Sequence, residues 1–235
     1  MLKFSKRRQS GFTLVELAIV LVIIGLILAA VLKGQEMINN ARAKSVVNDL
    51  KGVSAAYYSY YDRYKAIPGD DSAPANHLGQ AAFVGTGDGI IDSAHSYADN
   101  NATVSTENQA FWQHTRMAGF TTGSATAGIT GVGTAPAGTN AMGGILGVQG
   151  GISGAEVYGL IGNMVCAGNI PWKIAQAVDA EIDDGNSATG NVRAGAVGVA
   201  ATATAAQNVY GVSAAGVAAA APGSVDQLHT LCMKI

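Results

Sequence analysis

The stretch GFTLVELAIVLVIIGLILAAVLKGQE, residues 11–36, decides how the rest of the chain is read. From Phe12 to Leu32 it is apolar except for one acid, Glu16. At 1.5 Å rise per residue, a helix over those positions crosses a hydrocarbon core about 30 Å thick. Lys3, Lys6, Arg7 and Arg8 precede it with no acid among them, a pattern that keeps this end in the cytoplasm and sends the bulk of the chain outward. A cleaved secretory signal has a shorter apolar run closed by a small-residue cleavage site. Here the run is longer and passes straight into Lys33-Gly34-Gln35-Glu36. By hydropathy alone the segment reads as an uncleaved signal anchor.

Composition sets the outer bounds. The 235 residues are 49% hydrophobic and 13% charged, which excludes a charged disordered tail and allows one compact domain plus an appendage. The 31 glycines imply small side chains and long loops in part of the chain. Removing the four leader cations from the 14 basic residues leaves 10 against 16 acidic ones, so the remainder is acidic and repels phosphate backbones. Cys166 and Cys232 lack CxxC spacing and are too few for a thiolate-only zinc site, but they can pair in an oxidising compartment.

The lone acid inside the apolar run is the sharper signal. A carboxylate near the middle of a lipid-facing helix costs about 2.5–3.5 kcal/mol on insertion scales and marks a partner or a function. Gly11, without a side chain, lets a protease approach the backbone closely. Gly11-Phe12-Thr13-Leu14-Val15-Glu16, after a short basic leader and before an apolar helix, resembles the class III signal of type IV pilins and type II secretion pseudopilins.

That resemblance implies cleavage by prepilin peptidase between Gly11 and Phe12, methylation of the new amino terminus on Phe12, and retention of the apolar helix. It implies as partners the peptidase, other pilin or pseudopilin subunits and the inner-membrane assembly machinery, and a place in the bacterial inner membrane and then in a pilus or pseudopilus. Glu16, four residues after Phe12 and on the same helix face, is expected to pair with an N-terminal ammonium of its own or a neighbouring subunit and so to set the register of packing. The expected organisation is a basic leader over 1–11, a transmembrane and assembly half of a spine helix over 12–32, its extracytoplasmic half over 33–66 and a globular head over 67–235. The expected fold is α+β, pilin-like, with short antiparallel strands and two further helices in the head.

Beyond the membrane, Ala43, Val46, Leu50, Val53, Tyr57, Tyr60 and Tyr64 recur at spacings of three and four, one stripe of a continuing helix. Unbroken to about Lys65 it would be on the order of 80 Å long. Relatives often carry a proline bend that is absent here, where the first proline is Pro68, and any bend would rest on Gly34. Ile67-Pro68-Gly69-Asp70-Asp71 should end the helix. A second helix is expected over Glu107–Ala118, with Thr106 and Gln109 as a capping box and Gly119 as its stop. A third is expected over Ile170–Ile182, with Asn169 as N-cap and Pro171 in its first turn, and strands over 157–165 and 192–199. The Gly, Ala and Thr-rich stretches 119–155 and 187–223 fit either linkers or short strands joined by glycine turns. Cys166 and Cys232 bracket the second stretch, as in the cysteine-bounded C-terminal region of many pilins, and a disulfide there restrains a loop of 66 residues for about 4 kcal/mol.

Other candidate chemistry is thinner. The loop Gly85–Asp92 shares D-G-x-I with calcium loops, but an EF-hand frame puts Val84, Thr86 and His95 where oxygen donors belong. Asp70, Asp88, Asp92, Asp183 and Asp184 are calcium candidates in that sense only, with turn formation the competing reading, and no resident cofactor is expected. The cluster Tyr57, Tyr58, Tyr60, Tyr61 and Tyr64 suits packing better than an aromatic path. His77, His95, His114 and His229 form no HExxH pair and no serine sits in a G-x-S-x-G turn, so nothing points to an enzyme. The alternative to a structural subunit is a minor tip subunit or membrane-anchored module that recognises a surface, a secreted substrate or DNA, of which DNA is least favoured by charge.

Overall fold

The computed structural model describes residues 13–79, 82–91, 97–98, 106–124, 137–153, 156–196 and 228–235. The chain divides into two units, Met1–Asn39 and Asn40–Ile235. Helix α1 spans Leu14–Tyr64. In the first unit none of its described residues is buried, although the run from Leu14 to Leu32 is apolar apart from Glu16. A helix that is hydrophobic all round is stable only against lipid or other helices.

In the second unit α1 becomes one-sided. Ala43, Val46, Val47, Leu50, Val53, Ala56, Tyr57 and Tyr60 are buried, at the three-and-four spacing expected of one helical face. The helix stops at Tyr64 because Lys65 adopts a left-handed φ of 56° while its N–H still reaches the Tyr61 carbonyl at 2.7 Å. A short helix not expected from the sequence, α2 (Pro74–Leu78), comes next, with Pro74 in its first turn and left-handed Gly79 at its end.

Helix α3 (Glu107–Met117) falls where expected, but Thr106 at its N-cap makes no side-chain capping bond. Its C-terminus is closed by a Schellman arrangement, in which Gly119 at φ 79° bonds the Arg116 carbonyl and Phe120 bonds that of Thr115. Strand β1 (Gly138–Thr139), β2 (Ile145–Gly151), β3 (Gly162–Pro171), β4 (Val192–Ala196) and β5 (Leu228–Lys234) form one antiparallel sheet in the order β1-β2-β3-β5-β4. The C-terminal strand is thus internal to the sheet, and β4 is held to the sheet through it.

Two expectations need correction. Helix α4 covers Trp172–Ile182 and is capped at Pro171 rather than Asn169. Pairing of Ile170 with His229 and Pro171 with Leu228 keeps those residues in β3, and Asn169 instead takes φ 62° at a break in the register. The strand expected from Val157 begins only at Gly162, since Tyr158 and Gly159, at φ 50° and 78°, turn the chain so that Val157 bridges Leu160. Val192–Ala196 is a strand, and 197–199 lie outside the described residues.

Alternation along the strands sorts the two faces of the sheet. Val165, Ala167, Leu231, Met233, Val192 and Ala194 join α1, α3 and α4 in the main core. Met164, Cys166 and Cys232 face the other way, where Val157, Tyr158 and Leu160 cover them. The arrangement is α+β and pilin-like: a long N-terminal apolar helix followed by an antiparallel sheet with further helices. Leu50 is fully buried on the helix face. Leu50→Ala should cost about 2–5 kcal/mol, read by denaturant titration of the fluorescence of Trp112 and Trp172, both in or against this core.

Candidate processing and assembly site

The described chain begins at Thr13, so Gly11 and Phe12, the residues expected at the cleavage and methylation point, lie outside the described residues. Immediately after them the chain closes a ring of hydrogen bonds. The Glu16 carboxylate accepts the Thr13 N–H and the Thr13 hydroxyl, each at 2.8 Å, while the Thr13 hydroxyl oxygen accepts the Glu16 N–H at 3.3 Å. Thr13 and Glu16 stand at the N-cap and third helical positions, so this is a reciprocal capping box that satisfies donors left open at the start of α1. This cap is a role for Glu16 beyond the expected pairing with an N-terminal ammonium. The Thr-x-x-Glu spacing ahead of an apolar run is the signal for the cap, which the same rule places at Thr106 instead. A negative group also complements the positive end of the helix dipole.

Downstream, the apolar side chains leave no face polar: Leu14, Leu21, Leu26 and Leu32 are each about two-thirds exposed or more. The first cation after them, Lys33, pairs with Glu36 at 2.8 Å on the exposed surface, a contact worth a few tenths of a kcal/mol.

The described acids singled out for calcium serve two loops, Asp70 and Asp88 the 85–91 segment and Asp183 and Asp184 the segment between α4 and β4. Asp70, 3% exposed, takes the N–H groups of Gly87, Asp88 and Gly89 and the hydroxyl of Thr86, so its carboxylate is the anchor of the 85–91 loop. Asp88 closes an Asx turn onto the Ile90 N–H, and Asp92 lies outside the described residues. Asp183 accepts the N–H groups of Asn191 and Val192. The Thr189 hydroxyl and the Asn186 N–H hold the Asp184 carboxyl below its usual range. These two acids do approach a third that was not among the candidates: Asp179, Asp183 and Asp184 each bring a carboxylate oxygen within 4.8 Å of the others. The carboxylates of Asp183 and Asp184 also serve the loop between α4 and β4, accepting from Asn191, Val192, Asn186 and Thr189.

Cys166 and Cys232 are direct partners across β3 and β5 and are joined by a disulfide, both fully buried. The tyrosines divide by face: Tyr57 and Tyr60 are in the interior, Tyr58 and Tyr61 are exposed, and Tyr64 is half-buried against Tyr60, ring centroids 4.7 Å apart. The interior pair is polar at the tip, with the Tyr60 hydroxyl donating to Asp71 at 2.7 Å and the Tyr57 hydroxyl accepting from Asn163. Asp70→Ala strips the 85–91 loop of its acceptor and should lower head stability by about 2–3 kcal/mol, whereas adding millimolar calcium to the intact chain should leave its unfolding midpoint unmoved; both are read by the same denaturant titration.

Residues 6–32 match the family described as the prokaryotic N-terminal methylation motif. No curated protein and no solved structure matches the chain. The matched segment covers the second half of the basic leader with Lys6, Arg7 and Arg8, the Gly11–Phe12 junction, the Thr13–Glu16 cap and the apolar part of α1. Residues 6–32 of the chain therefore carry the class III prepilin signal found in type IV pilins and pseudopilins.

Proposed function

We propose that this chain is a structural subunit, cleaved between Gly11 and Phe12, methylated at Phe12, and drawn from the inner membrane into a type IV pilus or a type II secretion pseudopilus. The observation that carries this reading is the apolar first part of α1, exposed on every side and headed by a single satisfied carboxylate inside the methylation motif. Such a helix can exchange lipid for copies of itself at little cost, since both surroundings are apolar. The basic leader supports a cytoplasmic N-terminus before cleavage, and the disulfide suits an oxidising destination for the head. On this reading 1–11 is the leader, 12–32 the membrane and assembly half of the spine, 33–66 its outer half and 67–235 the head.

Removing the leader creates an ammonium on Phe12, adjacent to the Thr13–Glu16 cap. Glu16 then serves two purposes, closing its own helix and attracting an ammonium, of its own subunit or a neighbour, as helices pack. The two purposes separate by substitution. Glu16→Gln keeps the capping geometry and loses the charge, while Glu16→Ala loses both. Both variants should insert in the membrane, and both should be depleted at least tenfold from sheared filaments relative to wild type. Wild-type incorporation of Glu16→Gln would leave the cap as the only role of this residue. Intact-mass analysis tests the processing itself: cells with prepilin peptidase should yield a chain that starts at methylated Phe12, and cells without it a chain that retains the leader.

A further inference from the structure

We infer that His114 is an acid-sensitive latch that ties the 65–71 turn to α3 and releases that turn when its imidazole takes a second proton, while the 82–91 segment stays tied to α3. His114 is fully buried, and its two nitrogens are engaged by backbone from two different segments. Nδ1 accepts the Gly69 N–H at 2.9 Å, so it carries no hydrogen. Nε2 lies 2.8 Å from the Phe83 carbonyl oxygen, which only accepts, so the ring hydrogen is on Nε2. The tautomer is thereby set, and a proton added at Nδ1 would point at the Gly69 N–H.

The turn has nowhere to retreat while it stays docked. Gly69, at φ 97°, lies so close to α3 that a Cβ there would strike the Glu107 carbonyl oxygen. The next residue, Asp70, is the anchor of the 85–91 loop, so displacing Gly69 also strains the bonds that close that loop. The Gln113 side chain, which accepts the Phe83 N–H at 2.8 Å, is a second tie between α3 and the 82–91 segment that does not titrate.

The groups facing the imidazole set its response. From α1, the Tyr60 ring stacks on it with centroids 5.9 Å apart. From the turn, Asp71 favours the charged ring, and from α2 a protonated His77 opposes it. Asp71 is already committed, to the Tyr60 hydroxyl, the His77 ring and the Ala73 N–H. On α3 itself, Arg116 lies over Trp112, and Glu107 is bonded to Thr86. Burial is the largest influence and holds His114 below the ordinary histidine range. An opened imidazole returns to about 6.5, so opening becomes more favourable as pH falls below that value, by up to tenfold per pH unit, and is indifferent to pH above it.

Amide hydrogen exchange on the full chain in lipid nanodiscs tests this, with each amide corrected for its intrinsic rate. His229 in β5 is also held low by burial, so the comparison must separate the two histidines. In wild type the opening constant at Gly69 should rise about tenfold per pH unit below pH 6.5. In His114→Gln, whose amide accepts from Gly69 and donates to Phe83 without titrating, it should stay flat. A flat wild type, or the same slope in His114→Gln, overturns the latch. If that variant does not fold, the wild-type ring decides by nitrogen NMR at about pH 7.5, above the titration of a free imidazole. A bare Nδ1, with the Gly69 slope surviving in His77→Gln and His229→Gln, sustains the latch; the opposite tautomer, or loss of the slope in either variant, overturns it.

Discussion

Burial of one face of α1 between Ala43 and Tyr60 is the constraint on which the head depends. Sheet, α3 and α4 all close over that face, with Phe111 and Trp112 from α3, Val165 and Leu231 from the sheet and Ile174 and Val178 from α4 meeting Leu50 and Val53 in one core. Apolar surface removed from water in this core stabilises the second unit at roughly 25 cal/mol per Å². The opposite face of the sheet has little to bury, and there the Cys166–Cys232 bond and a turn carrying Tyr158 cover it.

The chain between Lys65 and Ile91 solves a different problem. It has only one five-residue helix among its described residues, yet much of it is packed inside, so its backbone donors need partners that secondary structure does not provide. Side chains provide them. Asp70 serves Gly87, Asp88 and Gly89, Asn163 takes the Ile91 N–H and donates to the Gly89 carbonyl, Gln113 serves Phe83, and His114 serves Gly69. This explains why acids that look available for a cation are spent on peptide groups. Asp71 follows the same rule: burial opposes its charge, but bonds from His77, Tyr60 and Ala73 outweigh that and keep its carboxyl below the usual range.

The first unit answers to another solvent. Its helix has no polar face and no buried residue among those described, so its stability rests on a hydrocarbon environment or on other helices, and the one carboxylate within its apolar run is closed onto its own N-cap. The methylation motif over residues 6–32 takes in the start of this helix, and the proposed assembly would move it from lipid to other helices. Apolar surroundings in the membrane and in a helix bundle make the same demand, which is that every polar group in the segment be satisfied.

Much of this is legible in the residues themselves. Hydropathy, the leader cations and the Gly11–Glu16 motif identify a prepilin-type helix because they depend on composition and short spacing alone. The stripe from Ala43 to Tyr60 and the extent of α3 follow from periodicity and from Gly119, both local signals. The cap at Thr13–Glu16 is equally local, but the charge of the acid masks it, because an ion in an apolar run points to a counter-ion before it points to a backbone amide. Other features are beyond local reading. The start of α4 at Trp172 depends on β5 holding Ile170 and Pro171 in a sheet, and β5 begins at Leu228, far along the chain. The convergence of Asp179 with Asp183 and Asp184, the capture of the 85–91 loop by Asp70, and the fixed tautomer of His114 likewise depend on groups that only the folded core brings together. Sequence determines which stretches seek lipid, a core or a turn, because that is decided within a few residues. Tertiary structure decides which buried polar group serves which, because each partner exists only once the apolar faces have closed.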